Sequence, residues 1–173
     1  MKKLISFIAL AIIVSISFAQ TVPSAKSILT TAYKKATKEN KNVFVIFHSS
    51  WCGWCKKLDA SMNNTATKKY FDNNFIIVHL TVQETEKNKN LENSGAAVFL
   101  TKYKGEKAGL PFFLILDKQG KLIGDSFLNN ENTGCPANEK EVDYFISLLK
   151  KSSKINQEGL VIIKKRFRKN ENH

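Results

Sequence analysis

Residues 43–56 read Val-Phe-Val-Ile-Phe-His-Ser-Ser-Trp-Cys-Gly-Trp-Cys-Lys. Val43–Phe47 is a short, continuous apolar run of β-branched and aromatic residues, the pattern of a strand covered on both faces, as in a parallel sheet. Cys52, Cys55, Leu58 and Met62 then recur at helical spacing, so the two cysteines stand where a buried strand turns into a helix. Cysteines at i and i+3 of a helix lie one turn apart on the same side, within reach of a disulfide. Cys52, at the helix start, faces unpaired backbone N–H groups and the positive end of the helix dipole. Both favour its thiolate, and Lys56 and Lys57 add positive potential. Cys55 continues onto the Leu58/Met62 face and is expected to be the shielded partner. The asymmetry defines a nucleophile and a resolving thiol: Cys52 attacks a disulfide, a mixed disulfide forms, and Cys55 releases it.

Other uses of the pair fit less well. A purely structural disulfide across so small a loop constrains the unfolded chain little. A zinc site wants four ligands, and neither a second Cys pair nor a His-x₃-His motif is present; covalent haem needs a His where Lys56 stands. No metal and no cofactor beyond the Cys52–Cys55 dithiol/disulfide is expected.

Outward from this stretch, Ser24 caps a helix carrying Ala25, Ile28, Leu29, Ala32 and Ala36 on one face. After Met62 a short helix is expected over Thr65–Phe71, a strand over Phe75–Val82, and a polar loop over 83–94. A helix around Ala96–Lys104 follows, then strands Phe112–Leu116 and Lys121–Phe127 joined by a tight turn at Asp117–Gly120. Asn138 with Glu141 opens a helix presenting Val142, Phe145, Ile146 and Leu149. The order is α-β-α-(α)-β-α-β-β-α: an α/β fold with a central mixed parallel and antiparallel sheet flanked by helices.

The whole resembles the thioredoxin superfamily, and more closely the exported thioredoxin-like proteins akin to the C-terminal domain of the periplasmic reductase DsbD. The resemblance spans Ser24–Lys151 and is carried by Trp51-Cys52-Gly53-Trp54-Cys55-Lys56 and by Gly109-Leu110-Pro111. It implies a thioredoxin fold, a cis Pro111 packed against the cysteines, and a backbone at Leu110 that pairs with substrate peptide. Gly53-Trp54 departs from the usual Gly-Pro between the cysteines, which leaves the redox potential open. Ile46 stands where thioredoxins keep a buried Asp. The stretch between Cys55 and Pro111 is longer than in a minimal thioredoxin, chiefly around Glu86–Asn93, a loop able to tune partner choice.

Several residues are candidate modulators. His79 lies near the position where thioredoxins place a Lys under the active site, and is a candidate proton-transfer group. His48, when protonated, would lower the thiol pKa; the alternative for each is an accommodated or surface histidine. Trp51 and Trp54 are expected to flank the thiols as an apolar docking surface, simple packing being the alternative, and more so for Trp51. Strand order returns the Gly134-Cys135-Pro136 loop to the active-site edge, so Cys135 is either within reach of the pair or of another chain, or a partly buried free thiol.

The ends have their own signatures. Lys2 and Lys3 precede an apolar stretch from Leu4 to Phe18 with small residues before Gln20: a secretory signal peptide cleaved after Ala19, an uncleaved anchor being the alternative. Residues 1–19 are read as signal, 20–151 as the thioredoxin-like domain, and 152–173 as a basic tail. Within the tail Leu160, Ile163 and Phe167 form the stripe of a short amphipathic helix. That stripe is expected to pack back on the domain, contact with anionic lipid or a partner being the alternative.

With 173 residues, 43% of them hydrophobic, and only 8 Gly, 3 Pro and 3 Cys, the chain is neither collagen-like, disulfide-dense nor disordered. Its +12 charge is almost entirely Lys, Arg166 and Arg168 being its only arginines, which reads as a solvated surface. No nucleic-acid role and no stable membrane insertion after signal cleavage are expected. The expected function is exported (periplasmic or secreted) thiol–disulfide oxidoreduction: protein or peptide disulfides are the substrates and an unidentified donor supplies electrons. The alternative is a non-catalytic thioredoxin-fold chaperone or partner-binding module.

Overall fold

The computed structural model describes residues 22–171; the signal peptide read at 1–19 lies outside the described residues. Helix α1 spans Ala25–Glu39. It starts at Ser24, whose hydroxyl accepts the Ser27 N–H at 3.2 Å, and stops at Asn40, in the left-handed region at φ 52°. Strand β1 (Asn42–His48) follows, then α2 (Gly53–Met62), α3 (Lys68–Asn74) and β2 (Phe75–Thr81). Next come α4 (Ala96–Lys102), β3 (Phe112–Leu116) and β4 (Leu122–Asp125). A small ribbon of β5 (Phe127–Leu128) and β6 (Glu131–Asn132) precedes α5 (Glu139–Ser152) and α6 (Gln157–Phe167).

The main sheet has the order β2-β1-β3-β4. β1 runs parallel to β2, with Ile46 opposite His79, and antiparallel to β3, with Ile46 opposite Phe113. A strand paired on both sides and covered on both faces must be apolar throughout, which is why Val43–Phe47 is an unbroken buried run. The two-residue period splits it. Phe44 and Ile46 join Leu58, Phe113, Phe145 and Phe167 beneath α2, α5 and α6, whereas Val43, Val45 and Phe47 join Leu29, Ala32, Leu100 and Leu114 beneath α1 and α4.

The basic C-terminal segment is integral to this packing. Leu160, Ile163 and Phe167 are buried, and the Phe167 ring lies 4.8 Å from Phe145 and 6.2 Å from Phe71. The expected stripe therefore packs on the domain, leaving Lys164 to pair with Asp143 at the surface. Among the described residues no helix is long and apolar enough to cross a membrane.

Besides shifts of one or two residues at element ends, three features differ from the sequence reading. The helix expected at Thr65–Phe71 is Lys68–Asn74, because Asn64 and Thr67 first close a turn through Thr67 N–H to Asn64 O at 2.9 Å. The polar loop at 83–94 contains a 3₁₀ segment, Glu86–Leu91. The last strand of the hairpin ends at Asp125 instead of Phe127: Phe127–Leu128 turns away to pair with Glu131–Asn132 across Asn129-Asn130, both left-handed at φ 53° and 67°. Asparagine tolerates that conformation, the one a two-residue hairpin turn demands.

Candidate functional site

β1 delivers the chain to the sheet edge at His48, and the next four residues make the turn into α2. The Cys52 N–H donates to the Ser49 carbonyl at 3.1 Å, and Cys52 takes the N-cap position of α2 with φ −75° and ψ 104°. An N-cap side chain normally offers an oxygen to the free amides of the first turn. Here it offers sulfur: the Cys55 N–H donates to Cys52 Sγ at 3.1 Å. The two sulfurs are bonded, with Cα atoms 5.3 Å apart.

Exposure does not separate the cysteines, since each is only 3% exposed. Cys55 is shielded, and Cys52 equally so; what distinguishes them is position on the helix, Cys52 at the amide-rich end and Cys55 one turn inside. Both tryptophans flanking the pair are exposed. Trp51, for which packing was the stronger alternative, is 55% exposed, against 46% for Trp54. The Trp51 indole N–H donates to the Gln83 carbonyl at 2.9 Å, and Lys57 Nζ sits 4.2 Å over the Trp54 ring. At Gly53 the place of a Cβ is open, with no atom within 4 Å, so the surface between the cysteines is clear; Lys56 also faces solvent.

Opposite lies the segment that opens β3. The Leu110–Pro111 peptide bond is cis, the geometry the resemblance implies, and Gly109 precedes it at φ 80°. A groove of about 490 Å³ runs past Trp54, Leu110, Pro111, Asn132, Gly134 and Cys135. Asn132 is a residue that sequence reasoning missed. Its side-chain amide reaches the carbonyls of Ala108, Gly109 and Pro111 at 3.1, 3.1 and 3.0 Å, while its oxygen accepts the Gly134 N–H at 3.0 Å. The only hint was its place in an Asn-rich turn.

Glu84 was missed too, inside a segment read only as polar. It is 6% exposed, and its carboxylate accepts the Ser50 N–H at 2.5 Å and the Ser50 hydroxyl at 2.7 Å. Ser49, one residue earlier, donates its hydroxyl to the Val82 carbonyl.

Strand pairing brings His48 and His79 together, their rings 5.2 Å apart and edge to face. His79 Nε2 contacts Asp59 Oδ1 at 2.8 Å, and His48 Nε2 lies 3.2 Å from the Thr81 hydroxyl. Burial, with His79 adding to it, lowers the His48 pKa from its ordinary value, outweighing the opposing pull of Asp59 and Glu84. A protonated His48 acting on the thiols is therefore disfavoured: its surroundings select the neutral ring. The Cys135 loop does return to the groove beside Pro111, but its thiol is buried and pushed up to about 12 by desolvation. Asn170 donates to its sulfur at 3.4 Å. Cys135 thus belongs to the packed interior and is a poor nucleophile. Among the described residues no cluster of three or more His, Cys, Asp or Glu is placed to hold a metal ion.

Residues 25–118 match the family model described as thioredoxin-like. Among solved structures, a disulphide isomerase from Xylella fastidiosa Temecula1 superposes with a TM-score of 0.50 at 17% identity, over 89% of this chain and 93% of that one. The oxidised C-terminal domain of DsbD from Neisseria meningitidis gives a TM-score of 0.45 at 18% identity, over 76% and 98%. At such identities the likeness is one of fold.

Proposed function

The chain belongs to the thioredoxin-like family, and from that premise we propose that it is an exported thiol–disulfide oxidoreductase that reduces or isomerises disulfides in proteins or peptides. The observation that carries the reading is the Cys55 N–H aimed at Cys52 Sγ from 3.1 Å at the start of α2. A sulfur in that position gains a hydrogen bond and a favourable dipole once it is ionised, so Cys52 is the attacking group.

In the reduced enzyme the Cys52 thiolate attacks one sulfur of the substrate disulfide. That S–S bond breaks, a Cys52–substrate disulfide forms, and the other substrate sulfur leaves as a thiolate and takes a proton. Cys55, deprotonated, attacks Cys52 Sγ, and the second substrate sulfur departs as a thiol. The substrate has gained two electrons and two protons, and the enzyme ends with Cys52 bonded to Cys55, the state described above. A dithiol donor then reverses the oxidation. When Cys52 instead attacks and returns to a different pairing of substrate sulfurs, the outcome is isomerisation with no net transfer.

The groove past Trp54 and Leu110-Pro111 supplies an extended backbone and an apolar wall for a peptide. Export is supported by the charged, apolar and small-residue order of residues 1–19; in this reading they are removed, leaving a thioredoxin-like domain with the basic segment packed on it. The test is reduction of insulin disulfides by dithiothreitol-charged protein. Wild type is expected to turn over, Cys52→Ser to be inactive, and Cys55→Ser to accumulate a mixed disulfide. Equal rates for wild type and Cys52→Ser would replace the enzyme by a partner-binding module.

A further inference from the structure

The loop of residues 82–84 grips every residue leading into the dithiol. Ser49 is tied to the Val82 carbonyl, Ser50 to the Glu84 carboxylate by two hydrogen bonds, and the Trp51 indole to the Gln83 carbonyl at 2.9 Å. Gln83 is held at φ 54°, and its amide donates to the Glu106 carbonyl at 2.9 Å. Asn88 reaches the Ser50 hydroxyl at 3.4 Å, and Glu92 accepts the Glu84 N–H at 2.8 Å. The inserted segment is thus a built wall of the site.

Glu84 is the unusual member. A carboxylate that is almost wholly buried and bonded to two neutral donors, on a serine two residues before Cys52, is an expensive arrangement to keep. Two residues of chain span at most about 7 Å, so the carboxylate lies within about 10 Å of the Cys52 backbone nitrogen, inside a Debye length at 0.1 M salt. The other charged or titratable groups around it are His48, which feels its charge; Glu92, paired with Lys89 at 3.0 Å; and Asp59 and His79 across the end of β1. None is a cation bonded to Glu84.

We propose that Glu84 is a positioning residue that also sets the redox poise of the pair: its carboxylate locks Ser50 in the approach to Cys52 and its charge opposes ionisation of the Cys52 thiol. The helix start pulls that thiol toward thiolate, and a stabilised thiolate makes a dithiol harder to oxidise. Glu84 pulls the other way, so the protein is a stronger reductant than its helix start alone would make it. This rests on the oxidoreductase reading.

The experiment is the equilibrium of the Cys52–Cys55 couple with reduced and oxidised glutathione, measured on the protein beginning at Gln20, with the iodoacetamide reaction rate of the reduced protein at pH 6 as a second readout. Glu84→Gln keeps the shape and one acceptor oxygen for the Ser50 N–H but removes the charge. It is expected to shift the equilibrium toward the dithiol by about threefold or more and to speed alkylation at pH 6. Ser50→Ala keeps the charge and the backbone bond to Glu84 but loses the hydroxyl's bonds to Glu84 and Asn88; it is expected to lower stability and leave the equilibrium within twofold of wild type. Should Glu84→Gln fail to fold, Glu84→Asp, which withdraws the carboxylate by one methylene, is expected to move both readouts the same way by less. A folded Glu84→Gln, or in its absence Glu84→Asp, that matches wild type in both readouts overturns the proposal. Neither readout needs a protein substrate, so wild type failing on insulin while these shifts appear would strike the proposed function alone.

Discussion

Asn132, at the end of β6, holds the Pro111 carbonyl at 3.0 Å and through the same amide reaches the carbonyls of Ala108 and Gly109. Two N–H bonds shared among three acceptors pin the segment that lines the groove beside Trp54. Asn132→Ala strands those carbonyls and is expected to lower unfolding free energy by about 1–3 kcal/mol. It should also raise KM for a peptide disulfide, because the groove loses its fixed edge. Urea denaturation and steady-state kinetics check both; unchanged midpoint and KM would count against the clamp.

Phe167 packs in the core at 4.8 Å from Phe145, with no exposed surface. Phe167→Ala is expected to cost about 3–5 kcal/mol, whereas Val161→Ala, on the exposed side of the same helix, should stay near zero. A thermal melt distinguishes a helix that belongs to the domain from an appended tail, for which the two substitutions would be equally mild.

His48 has its pKa lowered by burial. Below the unfolded value of about 6.5 the unfolded chain takes up a proton that the native ring resists. This contribution to stability is therefore present above that pH and is lost as pH falls toward the native pKa. Urea midpoints between pH 7 and 5 should decline in wild type and decline less steeply in His48→Gln, which can still reach the Thr81 hydroxyl. Parallel slopes would refute it.

Cys135 is a buried thiol whose pKa desolvation pushes up to about 12. Iodoacetamide at pH 8 should label native, oxidised protein to well under one equivalent and label it fully in urea. Cys135→Ser should retain the wild-type glutathione equilibrium. Rapid native labelling at Cys135 would show that the loop opens.

What was legible in the chain was whatever its own period records. The all-apolar Val43–Phe47 run announced a strand buried on both faces, and the Leu160, Ile163, Phe167 spacing announced a helix with one buried side. Asn138 with Glu141 announced a capping box, which is formed in full. Cys52 and Cys55 declared themselves because three residues of helix suffice to set their geometry. By contrast, the partners of Trp51 and Cys135 had no local signal, because the indole is held by Gln83 and the thiol by Asn170, each far along the chain.

By itself the sequence determined the elements, the sheet-to-helix junction bearing the dithiol, and the layered α/β architecture, since each follows from side chains within one or two turns of one another. Only the tertiary structure decided which groups surround the sulfurs. The Glu84 contact with Ser50 spans 34 positions, and the Asn132 contact with Pro111 spans 21. Hydrogen bonds of that kind leave no periodic trace; they exist only once strand register and loop closure have brought the donors within 3 Å of their acceptors.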